Sequence, residues 1–134
     1  MNKDFSMFSH NLKCTEGNNM EDKKQEKDPN GLGQHEAGAK LDHGKPMSGV
    51  LLRMFGRALY SVTEVGTFGA KKYTLGGWQS VENGQQRYND AGARHELKIG
   101  MGEEFDSESG FPHLAHKAWN ALAELELYLR EKEK

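Results

Sequence analysis

Cysteine is almost absent from this 134-residue sequence, in which Cys14 is the only one. A single cysteine excludes an internal disulfide and a cysteine-rich zinc site. Positive charge is also not in excess: the formal net charge is −2 and the pI is about 6.3, which excludes a general basic surface for nucleic acid. No apolar run is long enough to span a bilayer, so we expect no membrane partner. These absences favour a cytoplasmic protein.

Internal repeats and the alternating pattern of β-strands are lacking as well. Residues 1–33 are polar and charged with almost nothing to bury, which predicts a flexible, disordered arm. The rest, from residue 38 to 134, is predicted to be one helical domain. Apolar residues recur at helical spacing over about 49–66, over 84–99 and from Pro112 onward. The sequence therefore predicts a small all-α protein of three main helices with two long loops, 67–80 and 100–111.

Two of these helices carry an apolar stripe that is predicted to face the core. In the first helix, Gly56 interrupts the stripe and suggests close packing at that point. The stripes are Leu51, Leu52, Phe55, Leu59, Val62 and Val65 in the first helix, and Leu114, Ala118, Leu122, Leu125 and Leu129 in the third.

Acids and histidines cluster where the third helix begins, in DSESGFPHLAH. His113 and His116 are three residues apart and share a helix face, which Asn120 continues one turn later. His95 adds a third imidazole from the second helix. Mixed nitrogen and oxygen ligands suit a divalent metal such as Zn, Mn or Co, whereas carboxylates alone suit Mg. The alternative is a solvated helix start, whose acids favour the positive end of the helix dipole. The acids are Glu103, Glu104, Asp106 and Glu108.

Basic residues gather in turns and on the second helix, and they suggest a nucleotide with several phosphates. Lysine-bearing, glycine-rich loops can hold phosphates through backbone N–H groups and side chains together. Trp78 and Tyr73 could stack on a base. The alternative is that these loops are merely solvated and that Trp78 caps the core. The cationic group comprises Lys40 and Lys45, which flank Asp42, together with Lys71, Arg87 and Arg94.

Three stretches resemble the phage family of dATP/dGTP diphosphohydrolases, N-terminal type. They are GAKLDHGKP, GAKKYTLGGW and RYNDAGARHELKIGMGEEFDSESGFPHLAHKAWN, and the resemblance covers about residues 38–128. It implies hydrolysis of purine deoxynucleoside triphosphates with release of pyrophosphate, in the cytoplasm of an infected bacterial host. The positions that match the family pattern are Lys40, Asp42, Lys45, Lys71, Tyr73, Trp78, Arg94, His95, Glu104, Asp106, Glu108, His113 and His116.

For an enzyme, we expect a divalent ion (Mg, Mn, Zn or Co) held by His113, His116 and Asp106 or Glu104. Glu103 or Glu108 would be the general base. The all-α pyrophosphohydrolases related to MazG carry ExxE on one helix and ExxD on the next. This chain has one ExxD, from Glu103 to Asp106, and no ExxE.

Two further expectations remain open at this point. A non-catalytic protein that sequesters a nucleotide-derived immune signal, with anti-defence function, needs the same pocket but no metal; in it, histidines and Asn120 would bind sugar hydroxyls. A structural helix hairpin would explain the leucines but not the acids and histidines. Because about 95 ordered residues bury little core, we also expect a homo-oligomer.

Overall fold

The computed structural model describes residues 25–134, and these fall in two compact units that are divided between Pro46 and Met47. The predicted arm lies mostly outside the described residues; only its last residues, 25–33, are described. In the first unit, the carboxylate of the buried Asp28 accepts N–H groups from Asn30 at 2.7 Å and Lys40 at 2.8 Å. Lys45 forms an ion pair with Glu26 at 2.7 Å. Residues 25–46 contain turns but no helix or strand, and these bonds connect the turns.

The second unit is helical, which confirms the predicted all-α class. Between residues 47 and 134 the chain forms four α-helices: α1 (Ser48–Met54), α2 (Gly56–Lys72), α3 (Gly84–Gly100) and α4 (His113–Lys132). A short 3₁₀ turn, Gly77–Ser80, precedes α3. The described residues contain no strand, only the isolated antiparallel bridge between Phe105 and Pro112.

The predicted first helix is two helices, and the break between them lies at Phe55. Gly56 follows the break directly, and a Cβ there would meet nothing within 4 Å. The prediction of close packing at Gly56 is therefore wrong. Glycine lowers helix propensity by about 1 kcal/mol relative to alanine, which is consistent with a break at this point. The predicted loop is also too long, because α2 continues through residues 67–72.

Helices α3 and α4 form an antiparallel hairpin, and they agree with the predictions of one helix over about 84–99 and of another that starts near Pro112. Side chains pair across it in reverse order along the chain: Gln85 with Glu131, Asn89 with Glu124, and Lys117 with Glu96. Helix α2 packs on α4. Gly66 allows this approach, since a Cβ there would lie 2.8 Å from the indole nitrogen of Trp119.

The core of the second unit differs from the one predicted. Val62 and Val65 of α2 are buried as expected, whereas Leu51, Leu52 and Phe55 are exposed. In α4 the leucine prediction is wrong. Its buried residues are small or polar instead, because two helices packed this closely leave room only for small side chains. The large side chain of α4 that packs against other elements is the aromatic ring of Trp119, which contacts Trp78 and Tyr88. The buried residues of α4 are His113, Ala115, His116, Asn120 and Ala123.

Candidate metal centre

Three histidines are in contact at one end of the hairpin of α3 and α4, next to the loop that joins the two helices. His95 comes from α3, and His113 and His116 come from the first turn of α4. The Nδ1 atoms of His95 and His113 are 2.8 Å apart, and the rings of His95 and His116 stack at 4.5 Å between centroids. His113 and His116 are buried. Burying a polar ring is costly unless it is paired, and among the buried polar side-chain atoms of residues 25–134 only His113 Nε2 has no hydrogen-bond partner.

The loop between α3 and α4 is held in place by its backbone. Asp106 N–H donates to the carbonyl of Phe111 at 2.8 Å, and His113 N–H donates to the carbonyl of Glu104 at 2.9 Å. Gly110 has φ +74°, a conformation that glycine adopts without strain, and it closes the turn. The loop therefore places Asp106 at a fixed position beside the histidines.

A serine that the sequence reasoning missed links Asp106 to His116. The Ser109 hydroxyl lies 2.8 Å from Asp106 Oδ2 and 2.6 Å from His116 Nε2. It also accepts the N–H of Phe111 at 3.2 Å. A hydroxyl has one proton, so if Ser109 donates to the carboxylate, His116 Nε2 must be the donor to Ser109. In that arrangement a neutral His116 keeps its lone pair on Nδ1.

The protonation of the cluster suits metal ligands. Burial lowers the pKa of His95, and the neighbouring imidazoles His116 and His113 lower it further. Burial also lowers the pKa of His116, although Asp106 opposes the effect. Burial works to raise the pKa of Asp106, but the backbone and hydroxyl bonds from Ser109 outweigh it and the pKa falls below its ordinary value. Neutral imidazoles and an ionised carboxylate are the forms that bind metals.

The donor geometry of the cluster also fits a metal ion. His95, Asp106 and His113 each offer one ligand atom, and these atoms lie within 4.8 Å of one another. Ligand nitrogens about 2.1 Å from one ion are about 3.0–3.4 Å apart, close to the separation of the two Nδ1 atoms. His113 Nε2 is buried without a hydrogen bond and lies 3.7 Å from the Glu103 carboxylate. A carboxylate beside the second nitrogen is the usual neighbour of a metal-bound histidine.

Two of the acids at this site are paired with lysines. Glu103 binds Lys98 at 2.8 Å, and that bond lowers the pKa of Glu103. Glu108 binds Lys72 at 2.5 Å, and the bond raises the pKa of Lys72. In the sequence Lys72 stands beside Lys71 in a predicted loop, and its pairing with Glu108 was not predicted. The Glu104 backbone carbonyl holds His113, and the Glu104 residue is exposed.

Several residues that were predicted to bind nucleotide have other contacts in the structure. The ring of Trp78 packs edge-on against Tyr88 and Trp119. Asn120 is buried and donates to the carbonyl of His116 at 2.8 Å. Tyr73 is exposed beside Lys72. Arg87 and Arg94 are exposed on α3, and Lys40, Asp42 and Lys45 lie in the first unit. Nucleotide binding by these residues stays a prediction.

A cleft of about 350 Å³ adjoins the histidine cluster through Ser109. Phe68 of α2 and Phe111 of the loop meet edge-on in its wall, with ring centroids 6.4 Å apart. Lys71 lies at the same surface. This cleft was not predicted, because part of its wall, from Thr67 to Lys71, belongs to a helical turn that was predicted to be a loop. Its lining comprises Tyr60, Thr63, Glu64, Thr67, Phe68, Lys71, Ser109 and Phe111.

These features define a small helical protein with a histidine- and carboxylate-rich candidate metal centre. Residues 35–134 match the family described as dATP/dGTP diphosphohydrolase, N-terminal, and the chain belongs to that family. No curated protein matches the chain, and no solved structure does. Within residues 25–134, no helix is both long and apolar enough to cross a membrane.

Proposed function

We propose that this protein hydrolyses purine deoxynucleoside triphosphates to monophosphates and pyrophosphate, and that the reaction depends on a divalent metal ion. The observation that carries the proposal is the convergence of His95, Asp106 and His113 in a member of a nucleotide diphosphohydrolase family. His116 lies beside them and is linked to Asp106 through Ser109.

His95, His113 and Asp106 would hold the ion, with the Nδ1 of His116 available as a further donor. The set of imidazoles and one carboxylate suits Mn, Zn or Co better than Mg. A bound divalent ion would neutralise the negative charge of the phosphates and would lower the pKa of a water molecule bound to it. The chain itself favours the neutral forms of His95 and His116, because burial lowers their pKa values, and it keeps Asp106 ionised through Ser109.

We assign different roles to the two glutamates that the sequence left as alternative bases. Glu103 lies beside His113 Nε2, so we propose that it orients this imidazole. Glu108 is exposed, two residues from Asp106, and pairs with Lys72. We therefore propose Glu108 as the general base. To accept a proton from water, its carboxylate would have to break the ion pair with Lys72.

We place the nucleoside in the cleft beside Ser109 rather than on Trp78. The Trp78 ring is already packed by Tyr88 and Trp119, whereas Phe68, Phe111 and Tyr60 line a cleft that is open. Aromatic walls suit a base, and Lys71 at the cleft suits a phosphate.

One observation favours the alternative of a protein that only sequesters a nucleotide. Both candidate bases, Glu103 and Glu108, are held by lysines, and a paired carboxylate is a weaker proton acceptor. A sequestering protein needs the cleft and the cations but no base.

The experiment that separates the two functions follows the fate of the nucleotide. The protein is treated with EDTA and then incubated with dATP, dGTP, dCTP or dTTP, with no metal or with Mg²⁺, Mn²⁺, Zn²⁺ or Co²⁺. We expect pyrophosphate and monophosphate in equal amounts from the purine nucleotides, and only with metal. Tight binding with intact triphosphate recovered after denaturation would replace hydrolysis by sequestration.

A further inference from the structure

The leucines of α4 lie on the side of the helix that faces away from the histidines. Leu114, Leu122, Leu125 and Leu129 are 65%, 49%, 52% and 47% exposed. At about 100° per residue they share an arc of about 100° with Ala118 and Ala121, and the arc runs about 22 Å along the helix. We refer to these six residues as the outer α4 face. None of them is charged.

The leucines of this face have no counterpart among the buried residues of the unit. Among residues 25–134, the buried hydrophobic residues are Val62, Val65, Ala115 and Ala123. Two valines and two alanines are a small core for a domain of this size. A continuous apolar stripe of this length on a monomer marks an interaction surface.

The order of residues on the outer α4 face matches a second copy of itself. If two α4 helices lie antiparallel about a two-fold axis between Ala121 and Leu122, Leu114 is level with the partner's Leu129. In the same way Ala118 is level with the partner's Leu125, and Ala121 with the partner's Leu122. Each inner pair sets a large side chain against a small one, which lets helix surfaces interlock. A two-fold interface requires such a self-complementary patch.

We propose that the outer α4 face is the interface of a homodimer in which α4 packs antiparallel against α4 of the second copy. The face points away from His113 and His116, so the dimer leaves the metal centre accessible from the other side of the helix. Burial of the leucines supplies the hydrophobic area that the core of one chain lacks.

The first test measures the mass of the full chain in solution by light scattering. We expect twice the chain mass of 15.0 kDa, and the mass of one chain for Leu125→Glu. Leu125 is half exposed and glutamate is a good helix former, so circular dichroism should not change. Leu97→Glu, the same change at an exposed leucine of α3, is the matched control and should stay dimeric.

Three outcomes of this test would overturn the proposal. They are a monomeric unmutated chain, a Leu125→Glu variant that keeps the double mass, and equal dissociation by Leu97→Glu. A dimer that only Leu52→Glu dissociates would place the interface on α1 instead.

The second test fixes the direction of the helices with single cysteines in a Cys14→Ser chain. Ala121 lies next to the proposed axis, so Ala121→Cys should form an intermolecular disulfide under mild oxidation. Leu114→Cys should not, since its two copies would be about 22 Å apart and a disulfide needs Cα atoms within about 7 Å. Equal cross-linking at both positions indicates parallel helices and refutes the antiparallel interface.

Discussion

If the loop between α3 and α4 carries the proposed chemistry, substitution of its two glutamates, Glu103 and Glu108, should have different effects. Glu108→Gln should keep metal and nucleotide affinity but lose turnover, because a general base acts chiefly in the transition state. The exposed pair with Lys72 adds little stability, so the fold should survive. Glu103→Gln should instead weaken metal binding roughly 10- to 100-fold through His113.

The measurements are a calorimetric dissociation constant for Mn²⁺ and for dATP, and a rate of pyrophosphate release, for each variant. Glu104→Gln, an exposed acid in the same loop, is the matched control. Equal loss of turnover in Glu103→Gln and Glu108→Gln without any loss of metal affinity would contradict the separate roles.

Protonation of the histidines should destabilise the metal-free protein. Burial lowers the pKa of His95 and of His116 in the folded state, whereas in the unfolded chain both titrate near pH 6.5. Between the folded and unfolded pKa values the unfolded chain binds more protons, so the stability present above about pH 6.5 is lost as the pH falls. We expect the urea midpoint in EDTA to decrease from pH 7.0 to 5.5. An increase over this range would contradict the assignment.

At the level of helices, the contact between α2 and α4 depends on Gly66. A methyl group there would lie 2.8 Å from the Trp119 ring. Overpacking costs about 1–3 kcal/mol, and the gain in helix propensity offsets about 1 kcal/mol of it. Gly66→Ala should therefore lower the free energy of unfolding. Gly69→Ala on the same helix meets nothing within 4 Å and should raise it by about 1 kcal/mol. Urea unfolding of both variants tests this, and stabilisation by Gly66→Ala would disprove the close contact.

Helical periodicity predicted α3 and α4 because apolar spacing is a local property of the sequence. It ended α2 too early, because Gly69, Gly76 and Gly77 made the stretch 67–80 look like a loop, whereas the helix continues to Lys72. It also assigned the leucine face of α4 to the core, and this was wrong. Spacing identifies which face of a helix is apolar but not which surface packs against that face. The histidines and acids were found through their spacing and family pattern. Ser109 was not, because its role depends on a turn that brings it to His116.

For the whole molecule, metal binding and folding should be coupled. A ligand that binds only the folded state at 100 times its dissociation constant adds about 2.7 kcal/mol. For a domain of this size this corresponds to a rise of roughly 10–20 °C in Tm. Mn²⁺, Zn²⁺ or Co²⁺ should give this rise after EDTA treatment, whereas Ca²⁺, which prefers oxygen ligands, should not.

Asp106→Asn should abolish the rise in Tm, and Glu104→Gln should keep it, because only Asp106 belongs to the ligand group. Asparagine has nearly the shape of aspartate, so the variant tests the ligand rather than the packing.

Dissociation of a dimer on unfolding makes Tm depend on protein concentration, so every metal titration needs one fixed concentration. The Leu125→Glu chain should show a lower Tm that no longer varies with concentration, yet the same rise with metal, since the outer α4 face and the histidines lie on opposite sides of α4. A rise that disappears with the dimer would mean that the metal centre is completed only by the second copy.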